Sequence, residues 1–169
     1  ICLNYEIGGK FRMRSAGHIL ESFFTAYRVD CRNQQMTVFP YGNGTGRMMA
    51  NAGRSRSLGV EAEASWMWKG LSVSFAGSLM DARFVDYDDG RNDWSGNRIP
   101  YSPESTLYLR CGYKFLTRGR FLRSVSLNAD INRSGRIYWN EAGDISQSPY
   151  SLIGADVRLI TSKAELWLR

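Results

Sequence analysis

Residues 54–68, RSRSLGVEAEASWMW, decide the fold predicted for this chain. Apolar side chains recur there at every second position, at Val60, Ala62, Ala64, Trp66 and Trp68. The alternate positions include the carboxylates of Glu61 and Glu63. A period of two is typical of a β-strand whose two faces meet different environments. A strand that is apolar on one side and acidic on the other suits a wall between lipid and water.

The composition favours an all-β protein. Of the 169 residues, 13% are aromatic and 17 are Gly, and this enrichment comes without long apolar runs. No stretch approaches the roughly 18 to 20 consecutive apolar residues that a membrane-spanning helix needs. Any crossing of a membrane therefore has to use strands.

Charge, cysteine and histidine usage argue against several classes of function. The net charge of +6 comes from scattered basic residues rather than a dense run, so no nucleic-acid partner is predicted. Cys2, Cys31 and Cys111 lie far apart without CxxC spacing, which predicts neither zinc nor a disulfide framework, but small semi-apolar side chains on strands. With His18 as the single histidine, most His-based catalysis is removed. We predict no enzyme, no catalytic residues, no metal site and no cofactor.

Seven further segments alternate like residues 54–68. The predicted strands cover about residues 3–12, 18–32, 54–68, 71–80, 106–115, 124–132, 151–159 and 164–169, with an extension of the second strand at residues 36–39 as an alternative. In the second strand, Phe23, Thr25, Tyr27, Val29 and Cys31 are assigned to one face and Ser22, Arg28 and Asp30 to the other, although Phe24 breaks this pattern.

The connections alternate between short and long along the chain. An up-and-down antiparallel meander with one trimmed and one elaborated rim produces this alternation, and in outer-membrane barrels the long loops are extracellular. The strands are also long enough to cross a bilayer at a tilt. We predict one all-β domain over residues 1–169, a curved and open part of a transmembrane β-barrel, with lipid on the side of Val60, Leu109 and Leu127.

The polar faces mix charges of both signs, which suits a wet lumen in which neighbouring strands pair opposite charges. The residues assigned to this side are Glu6, Lys10, Arg28, Asp30, Glu61, Glu63, Arg110, Lys114, Asp130, Asp156 and Arg158.

Two other architectures fit the same alternation. A soluble all-β ligand- or carbohydrate-binding domain would cover Leu107, Leu109, Val125 and Leu127 with a second layer. A passive porin would share the wall but need no plug. Neither the Gly-rich run at residues 42–46, which lacks a Gly-Lys-Ser/Thr ending, nor the aspartates at residues 86–93, which lack EF-hand spacing, predicts a phosphate or calcium loop.

Several short motifs in succession resemble the C-terminal half of the barrel of TonB-dependent outer-membrane receptors. They are NYEIG at residues 4–8, FTAYRVD at 24–30, NAGRSRSLGVE at 51–61, DARF at 81–84, GNRIPYSP at 96–103 and PYSL at 149–152. Their order and spacing match across nearly the whole chain. The resemblance implies a ligand-gated transporter with about 22 strands and a globular plug.

The resemblance also implies what lies outside this chain and what the receptor meets. The plug, the TonB-contacting segment and the remaining strands are absent here, so we expect a piece of a longer protein. The implied location is the outer membrane of a Gram-negative bacterium. The implied partners are outer-membrane lipid and lipopolysaccharide, the TonB complex through the missing plug region, and a small-molecule metal chelate such as a ferric siderophore, or a cobalamin-like nutrient.

Such receptors have no catalytic residues to assign, and their ligand contacts come from the extracellular loops and the plug. Aromatic and Arg side chains suit anionic, ring-bearing chelates. The candidate ligand-binding residues are Tyr41, Arg47, Met48, Met49, Tyr87, Trp94, Arg98, Trp139 and Asn140. The alternative role of each is loop packing or the aromatic girdle at the outer interface.

Overall fold

The computed structural model describes residues 1–38, 48–90 and 92–169. The strands in these ranges are β1 (Cys2–Ser15), β2 (His18–Val38), β3 (Met48–Trp68), β4 (Leu71–Asp86), β5 (Ser105–Leu116), β6 (Leu122–Ser134), β7 (Ile137–Tyr138), β8 (Ser146–Gln147), β9 (Tyr150–Thr161) and β10 (Glu165–Leu168). Across these ranges no helix is both long and apolar enough to cross a membrane.

The long strands form one sheet. Eight strands lie side by side in the order β1-β2-β3-β4-β5-β6-β9-β10, and each neighbouring pair is antiparallel. The sheet is open, with β1 and β10 at its two edges, and β7 and β8 form a separate ribbon. The predicted all-β meander of about eight strands is confirmed.

Short and long connections lie at opposite ends of this sheet. At the short end, Ala16 and Gly17 join β1 to β2 with φ values of 49° and 81°, and Lys69 turns β3 into β4 with a φ of 53°. At the long end, β2 and β3 continue beyond the predicted limits, to Val38 and from Met48. The apolar alternation stops well before these ends, so hydropathy alone underestimates the two strands.

One face of the sheet is apolar from edge to edge, and we call it the apolar face. Directly opposed residues on antiparallel strands point to the same side, and the register pairs Val60 with Leu79, Phe75 with Leu109, and Leu127 with Val157. Leu79 is 61% exposed and Leu127 is 45% exposed. Among the described residues no second layer covers this face, in contrast to the soluble alternative.

Aromatic rings gather at the short-turn end of the apolar face. The His18 ring stacks between those of Trp66 and Trp68, with centroids 5.9 and 5.2 Å away. The rings of Tyr113 and Phe115 lie 4.6 Å apart on β5. Aromatic side chains of this kind are typical of the boundary between lipid and water.

The predicted facing of β2 is wrong. The register places Phe24 opposite Ala62 and Phe23 opposite Glu63, so Phe24 lies on the apolar face and Phe23 on the polar face. Close packing on the polar face explains why Phe24, and not Phe23, lies on the apolar face. A Cβ atom at Gly59 would lie 2.3 Å from Cζ of Tyr27, so the missing side chain makes room for the tyrosine ring.

The wrong facing of β2 also affects Arg28 and Asp30, which the sequence predicts on the polar face. Arg28 lies opposite Leu58, and Asp30 lies opposite Arg56. Leu58 and Val60 are two residues apart on β3, so they lie on the same side of the sheet. Arg28 and Asp30 therefore also lie on the side of the apolar face. Arg28 lies at the loop-end limit of the apolar face, level with Leu58, and Asp30 lies beyond this limit, level with Arg56.

The interpretation of Cys2 and Cys31 as unpaired side chains is also wrong. They form a disulfide, and their Cα atoms are 4.1 Å apart. The hairpin register places them directly opposite each other, although they are 29 residues apart in sequence. Cys111 remains a free and exposed thiol.

Candidate functional site

The long connection after β4 folds back along that strand. The backbone N–H groups of Phe84 and Ile99 donate to the carbonyls of Asn97 and Ala82, at 2.9 and 3.0 Å. The N–H of Met80 donates to the carbonyl of Glu104 at 2.9 Å. The described part of this loop, residues 87–90 and 92–104, therefore extends the sheet above the start of β5.

Two predicted ligand residues, Tyr87 and Trp94, pack inside this loop. Phe84 and Tyr87 are each 1% exposed, and their ring centroids are 4.8 Å apart. Trp94 and Ile99 pack against them, and the Trp94 indole donates to Asp89 Oδ2 at 2.9 Å. Burial raises the pKa of the Tyr87 phenol, and the carboxylates of Glu141 and Asp89 add to this effect. In this conformation the Tyr87 ring offers no surface to a ligand.

The aspartates of the loop bind its own backbone. Asp88 Oδ1 accepts the N–H of Gly90 at 2.7 Å, and Asp93 Oδ1 accepts the N–H of Ser95 at 2.9 Å. Hydrogen bonds to Asp93 from both the side chain and the backbone of Ser95 hold the pKa of Asp93 below its usual value. Throughout the described ranges, no group of three or more His, Cys, Asp or Glu residues is placed to hold a metal ion.

The connection that contains β7 and β8 packs against the first loop. The N–H of Tyr101 donates to the Tyr138 carbonyl at 2.8 Å, and the Asn97 amide donates to the Glu141 carbonyl at 2.9 Å. The N–H of Glu104 donates to the carbonyl of Arg136 at 3.0 Å. The two loops are therefore a single hydrogen-bonded unit at the long-loop end.

Among the predicted ligand residues whose side chains the structure describes, Trp139 has the most accessible ring. It is 40% exposed, and its centroid lies 5.7 Å from that of Tyr101, which is 61% exposed. Asn140 instead closes its own loop, because its side chain donates to Asp144 and accepts the N–H of Ile145 at 3.2 Å. Sequence reasoning missed Tyr101. Its position between Pro100 and Pro103 indicates a turn, but nothing in the sequence gives its φ of 64° or its neighbour.

Arg98 lies on the side of the apolar face rather than inside the loop unit. Its backbone forms an isolated antiparallel β-bridge with Arg83 of β4, so both side chains lie on one side of the sheet. The Arg98 guanidinium forms two ion pairs: Nη1 lies 3.2 Å from Asp81 Oδ1, and Nε lies 3.1 Å from Glu104 Oε1. Tyr41 and Arg47 lie outside the described residues, and for Met48 and Met49 only the start of β3 is described.

The polar face carries an ion-pair network at the other side of the sheet. Arg110 Nη2 lies 2.6 Å from Asp156 Oδ2, and Arg110 Nη1 lies 3.6 Å from Asp130 Oδ1. Asp156 also accepts hydrogen bonds from the Asn128 amide at 2.7 Å and from the Trp167 indole at 3.3 Å. This face is polar and densely paired, as expected for the inside of a barrel wall.

Comparison with known proteins agrees with this architecture. Residues 3–163 match the family model described as "TonB dependent receptor-like, beta-barrel". The ferric yersiniabactin uptake receptor of Yersinia pestis is similar in structure, with a TM-score of 0.66 and 20% identity over 93% of this chain.

Two receptors from Acinetobacter baumannii are also similar in structure. The ferric preacinetobactin receptor has a TM-score of 0.70 and 14% identity over 94% of this chain. The siderophore receptor PiuA has a TM-score of 0.72 and 18% identity over 98% of this chain. The chain spans only 22 to 23% of the length of these three solved receptors.

Proposed function

The chain belongs to the TonB-dependent receptor family, and on this premise we propose that it forms part of the barrel wall of an outer-membrane transport receptor. The receptor imports a scarce nutrient, a ferric siderophore or a cobalamin-like chelate, with energy from the TonB complex. A plug domain and further strands outside residues 1–169 complete it. The protein is not an enzyme, and its location is the outer membrane of a Gram-negative bacterium.

The observation that carries this proposal is the height of the apolar face. On β3 the apolar side runs from Leu58 to Trp68, with Arg56 beyond one end and the stacked His18 and tryptophan rings at the other. Ten residue steps of about 3.4 Å make about 34 Å. At a tilt of about 45°, this corresponds to about 24 Å, close to the apolar band of outer-membrane barrels.

The joined long loops supply the ligand-binding side of the proposed receptor. Trp139, beside Tyr101, offers the aromatic surface that suits a ring-bearing chelate. Tyr87, Trp94, Arg98 and Asn140 support that surface by packing, ion pairing and loop closure. Tyr41, Arg47, Met48 and Met49 stay predictions as ligand contacts from the first loop. Lipid and lipopolysaccharide surround the apolar face.

Uptake by cells tests this function. A deletion strain of the host bacterium receives the full-length gene, and we measure accumulation of radioactive iron from a panel of ferric siderophores and of labelled cobalamin. We expect one chelate to accumulate only in cells that carry both the receptor and TonB, with the receptor in the outer-membrane fraction. Uptake that persists without TonB would favour the passive porin, and a soluble product would favour the all-β binding domain.

A further inference from the structure

The pairing of β1 with β2 is weakly determined by its own side chains. Thr25 is 3% exposed and packs where β1 lacks a side chain, because a Cβ atom at Gly8 would lie 2.9 Å from Thr25 Oγ1. The next residue of β1, Gly9, lacks a side chain as well. A shift of one residue would therefore bring Gly9 to Thr25 and leave the same space. Glycine-rich strands are prone to slippage of this kind.

Such a shift would turn β1 over relative to β2. In the observed register Lys10 lies opposite Phe23, on the polar face. The shifted register would place Lys10 opposite Phe24, on the apolar face. Lipid opposes this change, but a chain that has not yet entered the membrane has no lipid to sort its two faces. The adjacent Phe23 and Phe24 do not decide the register either, because one ring lies on each side of the hairpin in both cases.

The disulfide distinguishes the two registers. Cys2 lies directly opposite Cys31 in the observed register, at the end of the hairpin far from its turn. After a shift of one residue, Cys31 would lie opposite Leu3 and Cys2 opposite Arg32. The two cysteine side chains would then point to opposite sides of the hairpin, because neighbouring residues of a strand alternate. A bond between Cys2 and Cys31 therefore admits the observed register and excludes the shifted one.

The position of the disulfide indicates when it forms. Cys31 follows Asp30, which lies beyond the loop-end limit of the apolar face. In an assembled outer-membrane barrel this end faces away from the cell. Disulfides are made in the periplasm, by oxidases that carry a reactive disulfide of their own. The two thiols therefore meet such an oxidase before the hairpin crosses the membrane and not afterwards.

We propose that a periplasmic thiol–disulfide oxidase joins Cys2 to Cys31 before β1 and β2 enter the membrane, and that this bond fixes the register of the hairpin for assembly. This inference rests on the proposed outer-membrane location. One cysteine thiolate attacks the oxidase disulfide, which forms a mixed disulfide and releases the second oxidase sulfur as a thiolate. The other cysteine thiolate then attacks its partner cysteine in the mixed disulfide. The two cysteines lose two electrons and two protons, and the oxidase leaves as a dithiol.

Early oxidation also accounts for the free thiol of Cys111. This residue lies on β5, opposite Val73 and Ala129, and β3 and β4 separate β5 from the first hairpin. A bond from Cys111 to Cys2 or Cys31 is incompatible with this strand order. Because Cys2 and Cys31 precede Cys111 in the chain, their pairing before assembly leaves Cys111 as the unpaired thiol that the structure shows.

Pulse-labelling of the full-length receptor in its host bacterium tests the proposal. Free thiols are trapped at intervals with a maleimide polymer that slows migration in gels, and heat-modifiable migration marks the chains that have folded into a barrel. We expect the Cys2–Cys31 bond in chains that have not yet folded into a barrel. In a strain without the periplasmic oxidase, these chains should keep both thiols, and the yield of folded barrel should fall severalfold. Cystine added to the medium should restore the bond and the yield.

Two variants separate this role from general effects of losing the oxidase. C2A/C31A removes the bond, so its yield of folded barrel should be low and should not depend on the oxidase. Cys111→Ala keeps the bond and should depend on the oxidase like the wild type. Reduction of the assembled wild type with dithiothreitol should leave its folded migration unchanged, because lipid holds the two faces once the barrel is in the membrane.

Three results would overturn the proposal. They are a bond that appears only after the barrel has folded, a yield of C2A/C31A equal to that of the wild type, and loss of the barrel when the assembled receptor is reduced. The last result would make the bond a stabiliser of the finished receptor rather than a device for its assembly. Because the readouts are thiol state and barrel assembly, a receptor that imports a chelate but oxidises these thiols late leaves the proposed function intact. A soluble product would contradict both.

Discussion

Arg110 of β5 reaches across β6 to Asp156 of β9, with its Nη2 atom 2.6 Å from Asp156 Oδ2. Asp156 and Asp130 are 5% and 9% exposed, so the guanidinium neutralises two largely buried carboxylates. These three side chains connect three consecutive strands of the wall. On the polar face, these ion pairs therefore help to hold β5, β6 and β9 together.

We expect Arg110→Leu to destabilise the full-length receptor by about 2 to 4 kcal/mol, because it leaves Asp156 without its cation and Asp130 with Arg169 alone, whose Nη2 lies 3.7 Å from Asp130 Oδ2. Urea unfolding of the receptor in detergent, followed by tryptophan fluorescence, measures the change. The control is Arg12→Leu on the same face, which breaks a more exposed pair with Glu21 at 2.8 Å. We expect this control to cost about 0 to 1 kcal/mol, and equal costs would show that the Arg110 network contributes no special stability.

Leu109, the neighbour of Arg110 in sequence, tests the opposite face. It is 37% exposed and lies opposite Phe75 on one side and Ile131 on the other. We expect Leu109→Arg to impair folding into lipid vesicles by about 2 to 4 kcal/mol if it lies near the bilayer midplane. Leu152→Arg places the same charge on the polar face and should cost far less. Equal losses at the two positions would argue against a lipid-facing Leu109.

The disulfide predicts a definite number of reactive thiols. Under denaturing but non-reducing conditions, N-ethylmaleimide should add to Cys111 alone, and after reduction it should add to all three cysteines. Intact mass spectrometry of a cleaved fragment counts the additions. We expect Cys2→Ala to lower the free energy of unfolding by about 2 to 4 kcal/mol, because the unfolded chain loses a cross-link. Cys111→Ala is the control, and three thiols before reduction would contradict the pairing.

The loop tryptophans should separate loop stability from ligand binding. Trp94→Ala removes a side chain that packs on Phe84 and Tyr87, so we expect the long-loop unit to be cleaved faster by trypsin. Trp139→Ala removes an exposed ring, so we expect unchanged proteolysis and weaker binding of the chelate that we propose as the ligand. Trp139→Phe keeps an aromatic face and should restore most of that binding. Faster proteolysis of Trp139→Ala would instead make Trp139 a packing residue.

The sequence predicts most of the sheet because its alternation is caused by one physical condition, an apolar medium on one side. Leu107 to Phe115 and Val125 to Ile131 alternate without interruption, and their faces are predicted correctly. In β2 the adjacent Phe23 and Phe24 satisfy either phase. There the decision depends on the space that Gly59 leaves for Tyr27 on the next strand, which a single strand cannot reveal.

The disulfide and the loops depend on relations between segments that are distant in sequence. Cys2 and Cys31 meet only because the turn is centred on Ala16 and Gly17, and a shift of one residue in that turn separates them. Exposed and buried aromatic residues look alike in a loop sequence. Tyr87 and Trp139 were both candidate ligand residues, yet one lies in the loop core and the other at its surface.

The central claim, that the apolar face meets lipid, is tested most directly by a spin-label scan of β6. Single labels at residues 125–131 of the full-length receptor in lipid vesicles report collisions with oxygen, which is concentrated in lipid, and with a water-soluble nickel chelate. We predict a period of two, with oxygen collisions highest at Val125, Leu127, Ala129 and Ile131 and nickel collisions out of phase with them. Oxygen maxima at Ser126, Asn128 and Asp130, or collision rates without a period of two, would contradict the claim.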